Sequence, residues 1–515
     1  MKPLPRVRGE AAVATEIELK LRFPPSRLRE VLTLPELSGA RRGSSRLLAA
    51  TYFDTPALDL WQHRIALRVR REGGRWVQTV KGGGSAASGL HRRLEIDSLL
   101  TDGQPDLSRL PRHPLARVLR SRKVVEGLGP IFHTEIRRSL RLLEPVPGVC
   151  IEAAIDRGTL RSGRRRRPLC EIELELKSGP VGALFDLARQ LALRIPVAME
   201  YRSKAQRGYA LYRGTDEPPV KAQALELRRP MTAGEAFRAI AGNALAQVHA
   251  NEHGVIHDDD PEYLHQMRVG LRRLRSALRL FRDCLGDAVA QDAGTLRGIA
   301  AALAPARDWD VLAIETLPAA SDALALDQAA QALLEACERQ RKRARAMAIR
   351  LIKTERYRNS MLDLGRLLAS GGESDSGAWC RPVRECAAQI LAHWHTRALK
   401  RGRRIDRRSN AELHRLRIAV KQLRYAVEFF NGLFAPRRMA ALRERLTRLQ
   451  DILGRINDAA GVEPLLESAV AAGGPDARLA AEQIVAWCGD RAAGERAELR
   501  AAWRRFRAAP LPWLE

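Results

Sequence analysis

At 515 residues the chain is long enough for two or three domains, and a hydrophobic share of 45% supplies sizeable cores. Lys and Arg number 88 against 60 Asp and Glu, a net charge of +28 that favours polyanions: nucleic acid, acidic lipid or phosphate polymers. Aromatic residues make up only 5%, too few for base-stacking platforms, so nucleic acid ranks below phosphate polymers.

The opening stretch MKPLPRVRGEAAVA has no apolar h-region, and no run approaches the ~20 apolar residues of a membrane span. The seven cysteines are scattered without a CxxC pair, which argues for free thiols in a reducing compartment rather than a disulfide framework. A soluble cytoplasmic protein with no membrane partner is expected. Its charge is uneven: residues 1–213 carry +18 and the rest +10.

Residues 12–213 read as strands divided by turns: EIELKLRF, IALRVRRE, RWVQTVKGGG, RRLEID and CEIELELKSG. Alternate residues of a strand share a face. Glu16, Glu18 and Lys20 therefore point one way. So do Arg68 with Arg70, Arg93 with Glu95 and Asp97, Glu135 with Arg137, Glu152 with Asp156, and Glu171 with Glu173, Glu175 and Lys177. Lys81 ends its own strand. The run Arg164–Arg167 reads as a solvated hairpin tip or as a gate for anions. Charges on one face of several strands fit a sheet with a wet outside. They fit equally a barrel with charge in its lumen and apolar residues packed outward. In that second case the cations would bind phosphate oxygens and the paired carboxylates would hold Mg²⁺ or Mn²⁺.

EIELK, followed in order by LRVR, TVKGG, RRLEID, AIDRG, EIELELKSG and RSKAQRGYAL, resembles the CYTH superfamily, the triphosphate tunnel metalloenzymes. The resemblance implies an eight-stranded antiparallel β tunnel with helices over 12–213. It implies metal ligation by Glu16, Glu18, Glu95, Asp97, Glu171 and Glu173, with Asp97 standing where the family often has Glu. Lys20, Arg68, Arg70, Lys81, Arg137, Lys204 and Arg207 would grip a triphosphate, and Glu16, Glu18 and Lys20 would carry catalysis. The implied activity is hydrolysis of tripolyphosphate to pyrophosphate and phosphate. Hydrolysis of thiamine triphosphate, cyclisation of ATP, or an inert tunnel that only binds are the alternatives. No P-loop GxxxxGK[ST] is present.

Residues 214–230, GTDEPPVKAQALELRRP, read as a linker, and from Met231 the pattern is helical. His265, Arg268, Arg272, Arg275 and Arg279 are spaced three, four, three, four and stack on one helix face, opposite Met267, Leu271, Leu274, Leu278 and Phe281. No acidic residue interrupts the column, unlike an ordinary solvated face. The pattern returns 149 residues later as His414, Arg417, Lys421 and Arg424, broken only by Glu428. Six of 17 positions are identical between HQMRVGLRRLRSALRLF and HRLRIAVKQLRYAVEFF. RDWD from Arg307 and RIND from Arg455 echo at nearly the same offset. These repeats predict an internal duplication of two facing halves, about 231–367 and 378–508, with LASGGESDSG (368–377) as the break between them. Asp310 and Asp458 would orient Arg307 and Arg455. His249, His253 and His257 at i, i+4, i+8, and His393 with His395, leave a metal site as a competing reading.

The two basic segments, with RDWD and RIND, resemble the CHAD domain, an α-helical module often fused after a CYTH domain. The resemblance implies an all-α domain over 231–508 of two pseudo-symmetric four-helix bundles. It also implies a shared basic surface that binds inorganic polyphosphate, free or in granules, through both columns together with Arg307 and Arg455.

Overall fold

The structure is a computed structural model that describes residues 13–38, 41–87, 90–111, 113–286, 293–325, 329–369, 377–471 and 475–514. It forms two compact units, Met1–Val220 with Arg358–Ser370, and Lys221–Tyr357 with Gly371–Glu515. The sequence break around 368–377 lies largely outside the described residues. No helix among the described residues is long and apolar enough to cross a membrane.

The first unit is built on β1 (Val13–Arg22), β2 (Arg41–Asp54), β3 (Ala66–Glu72), β4 (Arg75–Ala87), β5 (Leu90–Leu100), β6 (Gly129–Leu143), β7 (Cys150–Ser162), β8 (Arg165–Ser178) and β9 (Ala198–Met199). These form a nine-stranded antiparallel sheet in the order β5-β4-β3-β2-β6-β7-β8-β1-β9, and β5 also pairs with β1, closing the sheet on itself. The ninth strand is a two-residue pairing with the end of β1. Registry aligns charged residues in rows: Glu152, Glu175 and Glu18 lie side by side, then Ala154, Glu173 and Lys20, then Arg138, Asp156, Glu171 and Arg22. Side chains of non-neighbouring strands meet only on the concave side of a closed sheet. Arg138 of β6 reaching Glu173 of β8 therefore marks these rows as inward-facing. The alternate residues Leu19, Leu21, Ile155, Ile172 and Leu174 are buried on the opposite, outward face. Burying a large aliphatic side chain contributes about 1.5–3 kcal/mol, so covering this face supplies much of the stability that an all-charged lumen cannot.

Helix α1 (Gly182–Arg194) packs on β1 and β8, and α2 (Lys204–Arg213) on β6, β7 and β8. Ser203 and Gln206 form a capping box that starts α2, and Gly214 in the left-handed region (φ 73°) ends it. α2 lies so close to β6 that a Cβ on Gly208 would sit 2.1 Å from the Phe132 ring, which only glycine avoids. Tyr209 stands beside Phe132, Tyr52 and Trp61, filling one end of the concave face with rings. Arg165 donates to the carbonyls of Leu211 and Tyr212 at 3.2 and 3.1 Å. Arg165, exposed at the β7–β8 hairpin tip, thus also secures the end of α2. Asp54, buried, accepts from the backbone N–H of Thr55, Leu60 and Trp61 at 2.7, 2.9 and 3.0 Å and from the Tyr209 hydroxyl at 2.8 Å.

The second unit is helical: α3 (Ala233–His257), α4 (Pro261–Leu285), α5 (Ala304–Val311), α6 (Ala329–Ile352), α7 (Val383–Arg401), α8 (Asn410–Phe429), α9 (Pro436–Val470) and α10 (Pro475–Arg507) are its principal elements. Thr232–Glu235 and Ser409–Glu412 capping boxes open α3 and α8, and Asp260 with Pro261 opens α4. The two histidine-led segments are α4 and α8; their apolar columns, among them Met267, Leu271, Leu274, Leu416, Val420 and Leu423, are fully buried. α4 and α8 pack directly on each other.

Cys284 and Cys386 are joined in a disulfide with Cα atoms 6.2 Å apart, a correction to the expectation of free thiols throughout. The end of α4 and the start of α7 meet only in the folded unit, so a separation of 102 residues hid the pair. Cys150, Cys170, Cys337 and Cys488 are free thiols.

Asp54 is expected to be the anchor of α2. Asp54→Ala leaves three backbone donors and a phenol without an acceptor and should lower unfolding stability by roughly 3 kcal/mol or more, whereas Tyr209→Phe should cost about 1 kcal/mol, both read by urea denaturation.

Candidate functional site

Two walls of opposite character face each other inside the closed sheet. On the β6–β7–β8 wall, Asp156, Glu171 and Glu173 bring carboxylate oxygens within 4.8 Å of one another, the one such grouping of three or more possible metal ligands among the described residues. Cations surround it. Arg138 donates to both oxygens of Asp156 at 2.7 and 2.6 Å and also to Glu173. Lys204 lies 2.8 Å from Asp156 and from Glu173 and also touches Glu171. Lys20 pairs with Glu173 and, at 2.9 Å, with Glu18, and Arg207 pairs with Glu171. Burial opposes the charge on Glu173, but Lys20, Lys204 and Arg138 more than offset it and hold its carboxyl well below the usual range. Burial likewise opposes Lys20, and Glu173 and Glu18 raise it.

The β3–β4 wall is cationic. Burial and the neighbouring Arg68 depress Arg70 to about 10, although Arg70 also pairs with Glu72. Burial and Arg68 hold the Lys81 ammonium well below the usual lysine range even though it touches Glu95. The buried Nε atoms of Arg68 and Arg70 have no acceptor. Neighbouring cations with unused donors form a nest that an oxyanion would stabilise. Arg138 of β6, two strands from β3, is close enough to Arg70 to add to its depression, so the cationic wall adjoins the ion-paired one.

The predicted residues divide as follows. Lys20, Glu171, Glu173, Lys204 and Arg207 join the ion-paired wall, and Arg68, Arg70 and Lys81 the cationic one. Glu16 and Glu18 lie on the inward parity of β1, between Lys81 and the acidic row. Glu95 lies beside Lys81, and Asp97, in register with Thr79, has one buried oxygen without a donor. The side chain of Arg93 lies outside the described residues. Arg137 is a correction: it is exposed, as is Glu135, and Arg138 takes its place inside. The polar residues His133, Glu135 and Arg137 on the outer face of β6 are exposed to solvent. Asp156, whose parity with Glu152 was legible, also belongs inside. Glu175 and Glu152 join Glu18 in the acidic row; burial raises the Glu175 carboxyl, and Glu16 and Glu152 push it the same way.

In the helical unit the two basic columns converge. Arg272 donates to the Tyr425 hydroxyl at 2.6 Å across the α4–α8 contact. Lys421 is depressed to about 7 by burial and then by Arg272, Arg417, Arg275 and Arg424, members of both columns. Burial, Arg272 and Arg307 lower Arg268 against Asp308, and burial and Arg307 lower His265. Burial lowers Arg275 and Arg279, helped by the nearby Arg297. Buried donors of Arg268 and Arg417 lack acceptors. Glu428, the residue that broke the repeat, pairs with Arg273 and accepts from Arg424 at 3.2 Å, while Arg424 Nε donates to Gln450 at 2.7 Å. His414 shares a 2.6 Å hydrogen bond with Asn457.

Two expected pairings are corrected. Asp310 bonds Arg341 rather than Arg307, which donates to Glu315 at 2.9 Å. Asp458 approaches Arg417, and Arg455 donates to Glu495 of α10 at 2.7 Å. Carboxylates outside the tetrapeptides capture these arginines, Glu315 from eight residues further along and Glu495 from α10. The histidine metal reading gains no support: His249 is buried beside Glu252, and His395 lies between the Phe506 and Trp513 rings.

Adjacent arginines of β6 should separate cleanly. Arg138→Met strands Asp156 and Glu173 with fewer cations and should cost about 3 kcal/mol, whereas Arg137→Met should stay within about 0.5 kcal/mol, measured by chemical denaturation.

The CYTH domain family matches residues 14–209 and the CHAD domain family residues 239–467. An inorganic triphosphatase of Haemophilus influenzae is 33% identical over 204 residues, 39% of this chain; the chain spans only 56% of that relative's length. The structure of a CHAD domain from the plant Ricinus communis is 34% identical, covering 57% of this chain and 98% of that one, with a TM-score of 0.51. A Hippeastrum putative adenylyl cyclase, described as having a dominant triphosphatase activity, is 21% identical over 39% of this chain and 98% of its own, with a TM-score of 0.30. The chain belongs to the CHAD family and carries a CYTH domain ahead of the CHAD module.

Proposed function

We propose that the first unit is an inorganic triphosphatase, dependent on Mg²⁺ or Mn²⁺, that hydrolyses tripolyphosphate to pyrophosphate and phosphate. We place it over 12–213 as an eight-stranded tunnel, the ring β1–β8, with a linker at 214–230. The CHAD module, placed over 231–508 as two four-helix bundles with halves 231–367 and 378–508, binds inorganic polyphosphate in the cytoplasm. The observation that carries the enzymatic reading is the cationic wall of Arg68, Arg70 and Lys81 facing carboxylates across the closed sheet.

The donor set suits a hard divalent cation. It is all oxygen, Asp97 keeps a buried oxygen without a donor, and burial, Glu16 and Glu152 push the Glu175 carboxyl up. Glu16, Glu18, Glu95 and Asp97 would hold it, with Glu171 and Glu173 reachable in exchange for lysine contacts. When bound, such an ion neutralises terminal phosphate oxygens and polarises the attacking water. Arg68, Arg70 and Lys81 take the phosphate chain and hold it in line. Lys20, Arg138, Lys204 and Arg207 keep the opposite wall rigid and spread positive potential toward the leaving pyrophosphate. A lumen carboxylate accepts the proton of water as the bridging P–O bond breaks.

Purified protein with tripolyphosphate and either metal should release phosphate, faster than with ATP, thiamine triphosphate or long-chain polyphosphate. Turnover with neither metal, at neutral and alkaline pH, sinks the enzymatic reading. Glu16→Gln should lower turnover by about 10²-fold or more while polyphosphate binding by the helical unit persists.

Polyphosphate binding should depend on pH through Lys421. A group depressed to about 7 is largely uncharged above that pH in the free protein, and a bound polyanion restores its charge. Binding then takes up a proton and weakens as pH rises from ~7 to ~9, by up to about tenfold per unit. Calorimetry in buffers of different ionisation enthalpy checks the uptake, and Lys421→Arg should flatten the profile.

A further inference from the structure

The basic surface of the helical unit extends past the repeated columns. A cavity of about 490 Å³ lies where α7 ends and α8 begins, lined by Arg397, Lys400, Arg401, Arg408, Glu412 and Arg415. Five cations surround one carboxylate, and that carboxylate is already engaged. Glu412 accepts from the Ser409 backbone N–H at 3.0 Å and pairs with Arg408, two contacts that hold it below the usual carboxylate range. No lining residue is left to neutralise Arg397, Lys400, Arg401 and Arg415. A helix C-terminus favours cations in its last turn, which accounts for Lys400 and Arg401. It does not account for Arg397 one turn earlier, or for Arg408 and Arg415 from the other helix.

A physical link joins this cavity to the α4 column. Arg279, the last member of that column, lies over the Trp394 ring at 5.1 Å, and Arg397 lies over the same ring at 5.2 Å. Burial lowers Arg279, and Arg397 is the largest charged contributor after it, so the two guanidinium groups are held close without a carboxylate between them.

The cavity is also confined to one half of the duplication. Ala233 and Val383 open their helices 150 positions apart, which sets Gln247, Ala250 and Asn251 of α3 against Arg397, Lys400 and Arg401. The 149-residue offset of the columns sets Asp259, Tyr263 and Gln266 against Arg408, Glu412 and Arg415. Both halves hold the columns, and only the second holds this cluster.

We propose that the α7–α8 cavity is a second phosphate-binding subsite, which takes a run of condensed phosphate continuing from the α4 column past Trp394. It deepens the polyphosphate reading and rests on it. A short chain fills the columns alone, and a long one reaches the cavity as well. Wild-type protein therefore prefers long-chain polyphosphate, and part of that preference comes from the rim cations of α7.

The test compares full-length wild type with Lys400→Ser/Arg401→Ser, two exposed residues at a helix end. A control removes two exposed cations of α6, Lys342→Ser/Arg343→Ser. Binding of tripolyphosphate and of long-chain polyphosphate is measured across a salt series. The cavity variant should lose about tenfold in long-chain affinity and lower the slope of log K against log salt by about 1.5, roughly 0.7–0.9 per lost phosphate contact. It should keep its tripolyphosphate affinity and hydrolysis, and the control should keep its long-chain affinity within about twofold. A cavity variant that binds long chains as wild type does overturns the subsite and leaves the columns standing. An equal loss in the control also overturns it, because net charge would then explain the effect. Wild type that binds no polyphosphate overturns the polyphosphate reading itself and the subsite with it.

Discussion

The first unit depends on burying opposite charges together on the concave side of a closed sheet. An isolated buried ion costs several kcal/mol even after relaxation, and pairing offsets this only when each oxygen and each donor finds a partner. Asp156, Glu171 and Glu173 largely meet that condition because β-registry lines them up with Arg138 and Lys20, and α2 delivers Lys204 and Arg207 from outside the sheet, although the buried Arg207 Nε keeps no acceptor. Remove the closure, and the rows face water on an open sheet. Remove α2, and three carboxylates crowd without half of their cations. The capping box at Ser203, the glycine at 208 and the Asp54–Tyr209 bond are the local features that seat α2.

The opposite wall breaks the same rule. Arg68, Arg70 and Lys81 are half-buried with too few carboxylates, and burial together with the Arg68 charge lowers the basicity of Arg70 and Lys81. The helical unit repeats this arrangement with different elements. There the α4 and α8 columns meet, and Lys421 loses most of its basicity among four arginines. Each unit thus stores electrostatic repulsion that a chain of phosphates relieves. The apolar columns on the far faces of α4 and α8, and the outward leucines of β1 and β8, supply the stability that tolerates it.

The charged pattern of the strands and the paired helical columns were legible because each depends on short-range periodicity. A strand repeats every two residues and a helix every 3.6, and a charge kept at that period over several turns leaves a local trace. That Glu16, Glu18 and Lys20 share one strand face, and Glu171 and Glu173 another, follows from parity alone. Parity failed at Arg137 because it does not say which of two adjacent arginines is inside. That is settled by where the partner carboxylates lie, and Asp156 and Glu173 stand on the side of Arg138. It failed for Arg307 and Arg455 because their carboxylate partners, Glu315 and Glu495, lie outside the motifs that name them.

By itself the amino-acid order determined the periodic features: a charged strand face, an apolar face behind it, two like-charged helical columns and the caps that begin their helices. Tertiary structure alone decided which charges neutralise one another. It joined Asp156 to Lys204 and Arg138, joined Cys284 to Cys386, and left Arg68, Arg70 and Lys421 short of counter-ions. The physical reason is range. Periodicity is written within a few neighbouring residues, whereas charge balance is a sum over groups tens to hundreds of positions apart that only folding brings within a few ångströms.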